Sequence, residues 1–143
     1  MRKIICLSVV LLILAGVGCA TLSKTTLTKE NQATLKGTWD GTADFRSGQM
    51  VGLTIVITND APPFKGNIKF SNIPASSPLF PGNFGGATTY AGPFDNGVIS
   101  NKGTFVISGQ AGNFGEFSLM GPTKLDGWFF LWGAQGSASL TKK

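Results

Sequence analysis

Apolar and polar residues alternate strictly through three successive segments in the first half of the chain. In the segment 37–45 (GTWDGTADF), every second residue from Trp39 to Phe45 is apolar or small, and Thr and Asp stand between them. The segments 50–58 and 64–71 show the same period of two. This period places alternate side chains on opposite faces of a strand. The three segments are therefore predicted to be antiparallel strands with one polar face.

The second half of the chain is predicted to add six shorter strands. Gly-containing turn signals, such as Asp95-Asn96-Gly97 and Asp126-Gly127, recur between its apolar segments, and such pairs favour tight hairpins. No segment beyond the first nineteen residues shows helical periodicity of useful length. The domain 35–143 is therefore predicted to be all-β. The six candidate strands are 88–92, 98–100, 104–108, 114–120, 128–132 and 137–141.

About eight short strands joined by short turns favour a small antiparallel up-and-down β-barrel, with a β-sandwich as the alternative. Gly37-Thr38-Trp39 resembles the Gly-x-Trp opening of the first strand in calycins, the lipocalin and avidin superfamily. The segment 136–141 is similar to a closing strand that pairs back onto the first. This resemblance implies the shape of a small barrel and assigns no ligand residue.

The first nineteen residues have the layout of a bacterial export signal. Arg2 and Lys3 precede an apolar run, 4–17, and small residues follow before Cys19. The run of about fourteen residues is shorter than the roughly 20 that a membrane-spanning helix needs. We therefore expect residues 1–18 to be a signal peptide.

Gly16-Val17-Gly18-Cys19 resembles the lipobox of bacterial lipoproteins. The resemblance implies that Cys19 takes a diacylglycerol on its sulfur, becomes the first residue after cleavage, and is acylated on its amine. The protein would then be lipid-anchored in the bacterial cell envelope. Ala20 after the cysteine favours the outer membrane, by analogy with enteric bacteria. Secretion into the periplasm or beyond, with cleavage after Ala20, and an uncleaved anchor are the alternatives.

The segment 19–34 is predicted to be a flexible tether between the lipid and the domain. From Thr21 to Thr34 it is polar, Thr-rich and free of aromatic residues. Such a composition buries too little apolar surface to offset the entropy of ordering. A short helix around 29–35 is the alternative.

The composition argues against catalysis, metals and nucleic acid. The chain has no His, which excludes Ser-His-Asp and Cys-His arrangements and the commonest metal ligand. Asp40 and Asp44 share a strand face about 13 Å apart, beyond the roughly 5–9.5 Å between glycosidase carboxylates. Its 12 Lys and Arg residues are spread along the chain, whereas nucleic-acid binding needs them clustered. We expect no enzyme activity, cofactor, metal or nucleic-acid partner.

The candidate binding residues are aromatic or apolar. The run 128–132 is apolar on both faces of its predicted strand, and one of those faces can contact a partner; core packing is the alternative. The Pro-rich segment 73–87 is predicted to be a lid or docking loop, with a self-packed loop as the alternative. The candidates are Trp39, Leu79, Phe80, Phe84, Trp128 and Trp132.

These features together predict a non-enzymatic, membrane-anchored envelope lipoprotein. Its barrel would bind a small apolar or amphipathic ligand, as barrels of about eight strands can. The alternative is a lipoprotein that docks another envelope protein through an outer face or through the 73–87 loop.

Overall fold

A computed structural model describes residues 22–45, 48–74, 89–108, 114–131 and 134–143. Within these ranges the chain forms nine strands and one short 3₁₀-helix, Gln32–Leu35. The strands are β1 (Lys24–Thr25), β2 (Gly37–Phe45), β3 (Gln49–Ile57), β4 (Phe64–Ser71), β5 (Tyr90–Ile99), β6 (Phe105–Ser108), β7 (Phe114–Met120), β8 (Lys124–Leu131) and β9 (Ala134–Lys142).

The strands β2 to β9 form a closed antiparallel barrel. Each pairs with the next one along the chain, and β9 also pairs with β2, from Trp39 opposite Lys142 to Phe45 opposite Gly136. The short β1 adds to the end of β7. The predicted all-β, up-and-down barrel of about eight strands is confirmed. The closing pair excludes the sandwich, because it leaves no gap between two sheets.

Two predicted turns are wrong, because their glycines lie inside strands. Asp95-Asn96-Gly97 belongs to β5, where the register against β4 shifts in a β-bulge. A Cβ at Gly97 would lie 2.8 Å from the Cβ of Phe64, so glycine permits close approach of the two strands there. Asp126-Gly127 belongs to β8, where a Cβ at Gly127 would collide with the carbonyl of Glu116 on β7.

The residues 26–36 cover one end of the barrel, which we name the closed end. The side chains of Leu27 and Leu35 are 3% and 0% exposed. The Leu27 amide donates to the carbonyl of Gly103 at 3.0 Å, and the Trp39 indole N–H donates to the carbonyl of Leu35 at 2.7 Å. The Lys142 ammonium donates to the carbonyl of Thr34 at 2.6 Å.

The described part of the segment 19–34, residues 22–34, therefore differs from the flexible tether that its composition predicts. The 3₁₀-helix falls within the region of the short-helix alternative. Leu27 and Leu35 belong to the buried apolar cluster, and the other members of that cluster lie almost entirely in the strands. The composition of residues 19–34 alone does not show that Leu27 and Leu35 pack against the strands.

The interior of the barrel is filled by apolar side chains wherever the structure describes it. The Phe105 ring lies 5.5 Å from that of Phe64 and 6.4 Å from those of Phe94 and Phe117. A second group lies nearer the other end, where the Phe129 ring is 4.9 Å from Phe45 and 5.5 Å from Phe70. Aliphatic side chains fill the space between the rings. They include Val51, Leu53, Ile55, Ile57, Ile107, Leu119, Leu125 and Leu140.

Candidate functional site

The structure places two of the predicted site residues, on opposite sides of the barrel wall. Trp39 is fully buried at the closed end, where its indole bonds to Leu35 and lies 5.3 Å from the Lys142 ammonium. Trp128 is half-buried and points outward from β8. The two tryptophans therefore do not belong to one site. Cys19, Leu79, Phe80, Phe84 and Trp132 lie outside the described residues.

The outer surface of β2, β9 and β8 carries a concavity, which we name the outer groove. It has two adjoining parts of about 260 and 410 Å³, which share Asp44 and Ser137. The first part is lined by Asp44, Phe45, Trp128, Gln135, Gly136 and Ser137. The second is lined by Thr42, Asp44, Lys124, Asp126, Gly127, Ser137, Ala138 and Ser139.

Small residues on the middle strand create this groove. Ser137 of β9 pairs with Asp44 on one side and Trp128 on the other. Ser139 pairs in the same way with Thr42 and Asp126. Because the serines are short and their neighbours on β2 and β8 are longer, the outward side chains leave a trough along β9. Its length from residue 135 to 139 is about 13 Å at the usual strand rise.

Outward carboxylates lie on both sides of Trp128 across the sheet. Glu116 pairs with it directly on β7, and Asp44 lies two strands away beyond Ser137, about 10 Å by strand spacing. Asp44 is exposed, whereas Glu116 accepts a hydrogen bond from the Thr104 hydroxyl at 2.7 Å. An aromatic ring between carboxylates suits a cation, which the ring face and the negative charges both attract.

Asp126 is engaged within the groove. Its carboxylate accepts from the Ser139 hydroxyl at 2.7 Å and forms an ion pair with Lys124 at 2.8 Å. The negative charge of this part of the groove is therefore balanced, and among the described residues that line the groove the charge of Asp44 is the one left facing an incoming group. Phe130, which is 41% exposed, extends the apolar surface of β8 beyond Trp128.

The carboxylates of Asp40 and Asp44, which share a strand face, have separate roles. Asp40 accepts from the Thr54 hydroxyl at 2.6 Å and pairs with Lys143 at 3.0 Å. The hydrogen bond from Thr54, followed by that from Lys143, lowers the pKa of Asp40 below its ordinary value of 3.8. Asp40 therefore helps to hold the barrel wall near the closed end, and Asp44 lines the outer groove.

Sequence reasoning found Trp128 but missed the groove around it. Asp44, Glu116 and Ser137 come from three other strands, and only the strand register places them beside Trp128. The alternation of residues along β8 does indicate which face Trp128 lies on. Lys124, Asp126 and Trp128 share a parity on β8 that is opposite to the buried Leu125 and Phe129. That parity puts Trp128 on the polar face.

Comparisons with known proteins add a likeness in shape. No family model and no curated protein matches the chain. Among solved structures, the chain is similar to a de novo designed fluorescence-activating β-barrel, with 16% identity and a TM-score of 0.46. The match covers 82% of this chain and 100% of the designed one. Within the described ranges, no helix is both long and apolar enough to cross a bilayer.

Proposed function

We propose that this protein is a non-enzymatic lipoprotein of the bacterial envelope, anchored through Cys19, whose barrel docks another envelope protein at the outer groove. The observation that carries the proposal is the contrast between the two faces of the barrel wall. The described interior is occupied by the protein's own aromatic and aliphatic side chains. The outer face offers a concavity that combines an aromatic ring, hydroxyl groups and a carboxylate.

The chemistry of the groove favours a partner segment that carries Arg or Lys. A guanidinium or ammonium group can stack on Trp128 while it pairs with Asp44. The serine hydroxyls and the Gln135 amide can bond to the backbone of the same segment. Aromatic residues at the centre of a contact commonly dominate its energy, so Trp128 is the residue on which docking should depend most.

Site-specific crosslinking in cells tests the docking. A photo-reactive amino acid in place of Thr42, at the edge of the groove, should give a protein adduct. The same probe in place of Asn67, exposed on the outer face of β4, should not. The adduct should disappear in Trp128→Ala and Asp44→Asn, and it should persist in Asp60→Asn, which changes an exposed carboxylate outside the groove. Equal adducts from both probe positions, or an adduct insensitive to Trp128, would contradict docking at the groove.

Metabolic labelling with a fatty acid tests the anchor. The wild-type protein should incorporate the label and Cys19→Ala should not, because the sulfur and the new amino terminus at residue 19 are the predicted acylation sites. An unlabelled wild-type protein would remove the anchor and with it the placement in the outer membrane.

Binding of a small apolar or amphipathic ligand inside the barrel stays a prediction. Its candidate residues Leu79, Phe80, Phe84 and Trp132 lie outside the described residues. Native mass spectrometry of the purified protein would detect a co-purified lipid. Such a lipid would favour this second function over docking.

A further inference from the structure

The closed end of the barrel carries an excess of exposed lysines. Lys24 begins β1, and Lys29 and Lys36 flank the 3₁₀-helix. Lys65 follows the turn between β3 and β4, and Lys102 lies in the turn between β5 and β6. All five side chains are exposed, and no hydrogen bond or ion pair between described residues engages their ammonium groups.

The acidic residues at this end do not offset these lysines. Asp40 and Asp126 are paired with two further lysines, Lys143 and Lys124. Among the described residues of the closed end, Glu30, Asp60 and Asp95 are the remaining exposed carboxylates, and Asp95 lies in the β5 bulge opposite Lys65. Five exposed lysines therefore stand against three exposed acids, and this end presents a net positive surface.

The chain also reaches the barrel at this end. The carbonyl of Ser23 accepts from the Gly121 amide at 3.1 Å, in the turn between β7 and β8. Leu22, the first described residue, is 46% exposed beside it. Cys19 is three residues earlier, so its Cα lies within about 11 Å of that of Leu22 even if the chain between them is fully extended. An acyl group on Cys19 would therefore hold the closed end close to the bilayer.

We propose that the closed end is a docking surface for anionic phospholipid, so that its lysines contact the headgroups and the opposite end of the barrel points away from the membrane. This inference rests on the proposed acylation of Cys19. The acyl chains on Cys19 would hold the protein on the bilayer, and the attraction of a basic surface to anionic headgroups would set which end of the barrel faces it. The short connection between Cys19 and Leu22 would bring the exposed lysines close to the bilayer. The lysines would then lie within the range of the negative potential of the lipid.

Lysine footprinting of the full-length acylated protein tests this orientation. The protein is incorporated into vesicles of phosphatidylcholine alone, or of one part phosphatidylglycerol to two parts phosphatidylcholine. Lysines are then acetylated briefly and quantified by peptide mass spectrometry. Acetylation of Lys29, Lys36 and Lys102 should be about five-fold slower on the anionic vesicles, which corresponds to the usual attraction of a lysine to such a surface. Lys69, exposed on β4 toward the opposite end, is the internal control and should react equally on both.

Salt and charge reversal sharpen the test. Raising the salt from about 0.1 M to about 1 M shortens the screening length from about 10 Å to 3 Å and should abolish the protection. Lys29→Glu combined with Lys36→Glu should remove the protection of Lys102, whereas Lys69→Glu should leave it unchanged. An unchanged urea midpoint shows that each variant is folded.

The outcomes separate the orientation from the anchor. Equal acetylation of the closed-end lysines on both vesicle types would overturn lipid docking while the anchor stands. Protection that persists at high salt would show that the short connection alone orients the barrel, and it would overturn the role of the lysines. An intact mass that shows unmodified Cys19 would overturn the anchor and, with it, this inference.

Discussion

The inner and outer faces of the barrel wall differ in how deeply their side chains are buried. Inward side chains on β2, β6 and β7, such as Trp39, Phe105 and Phe117, are almost inaccessible to solvent. Outward side chains on the same strands, such as Asp44, Val106 and Glu116, are exposed or half-buried. One alternating sequence therefore encodes stability on one face and a surface available for recognition on the other. Substitutions on the two faces should separate these roles.

The largest effect is expected from Phe105→Ala, in the middle of the ring cluster with Phe64, Phe94 and Phe117. Phe105 is 0% exposed and contacts three other rings, so its removal should cost about 3–5 kcal/mol through lost burial and a residual cavity. Urea denaturation measures the change. Val106→Ala, one residue later on the outer face, is the matched control and should cost less than about 1.5 kcal/mol. Similar costs for the two would contradict the division between the faces.

The next effect concerns the segment that covers the closed end. Leu27→Ala should destabilise the protein by about 2–5 kcal/mol, because Leu27 is 3% exposed against the barrel. Leu22→Ala changes the same residue type in the same segment. Since Leu22 is 46% exposed, its cost should stay below about 0.5 kcal/mol. Urea midpoints of both variants provide the measurement. If Leu27→Ala is as stable as the wild type, the interpretation of this segment as a flexible tether would be favoured instead.

Gly41→Ala should have an intermediate effect at the closing pair of strands. The added Cβ would collide with the carbonyl of Ser139 on β9, a backbone atom that cannot rotate away. We expect a cost of about 1–3 kcal/mol, typical of overpacking. Gly92→Ala on β5 is the control, because its closest contact is the Tyr90 hydroxyl at 3.2 Å, at the end of a side chain. Thermal or urea unfolding should rank the two in this order, and the reverse order would contradict close approach at the closing pair.

The smallest effect is expected at Asp40 on the outer face. Its pKa is lowered in the folded state by the Thr54 hydrogen bond and then by Lys143, so its charged form stabilises the fold above the ordinary pKa of 3.8. This contribution is lost as the pH falls through the lower, folded-state pKa. Because the Asp40 side chain is 39% exposed to solvent, Asp40→Asn should cost about 0.2–1 kcal/mol at pH 7. The difference from wild type should disappear in urea titrations at acid pH, and a difference that grows on acidification would contradict the sign.

The agreement between sequence and structure depends on how local the signal is. For β2, β3 and β4 the alternating pattern predicts bounds within one residue of those observed, because burial on one face imposes a period of two. The turn signals are misleading at Gly97 and Gly127. Glycine permits close approach of two strands at these positions, and the local sequence does not distinguish that role from a turn. The attachment of Leu27 was missed because the surface that it covers comes from distant strands. The candidate site shows the same limit: the sequence identified Trp128, and only the register placed Asp44 and Glu116 around it.

The closing pair of β2 and β9 has a consequence for how the chain acquires its shape. Strand β2 can pair with β9, its second neighbour in the barrel, only after residues 134–142 have been synthesised. The hydrogen bond from Lys142 to Thr34 likewise joins residues that are 108 positions apart. Contacts so far apart in sequence make folding slow compared with that of a helical bundle. During synthesis from the amino terminus, one edge of β2 therefore lacks its strand partner until nearly the whole chain is available. Closure of the barrel is therefore a late step in folding.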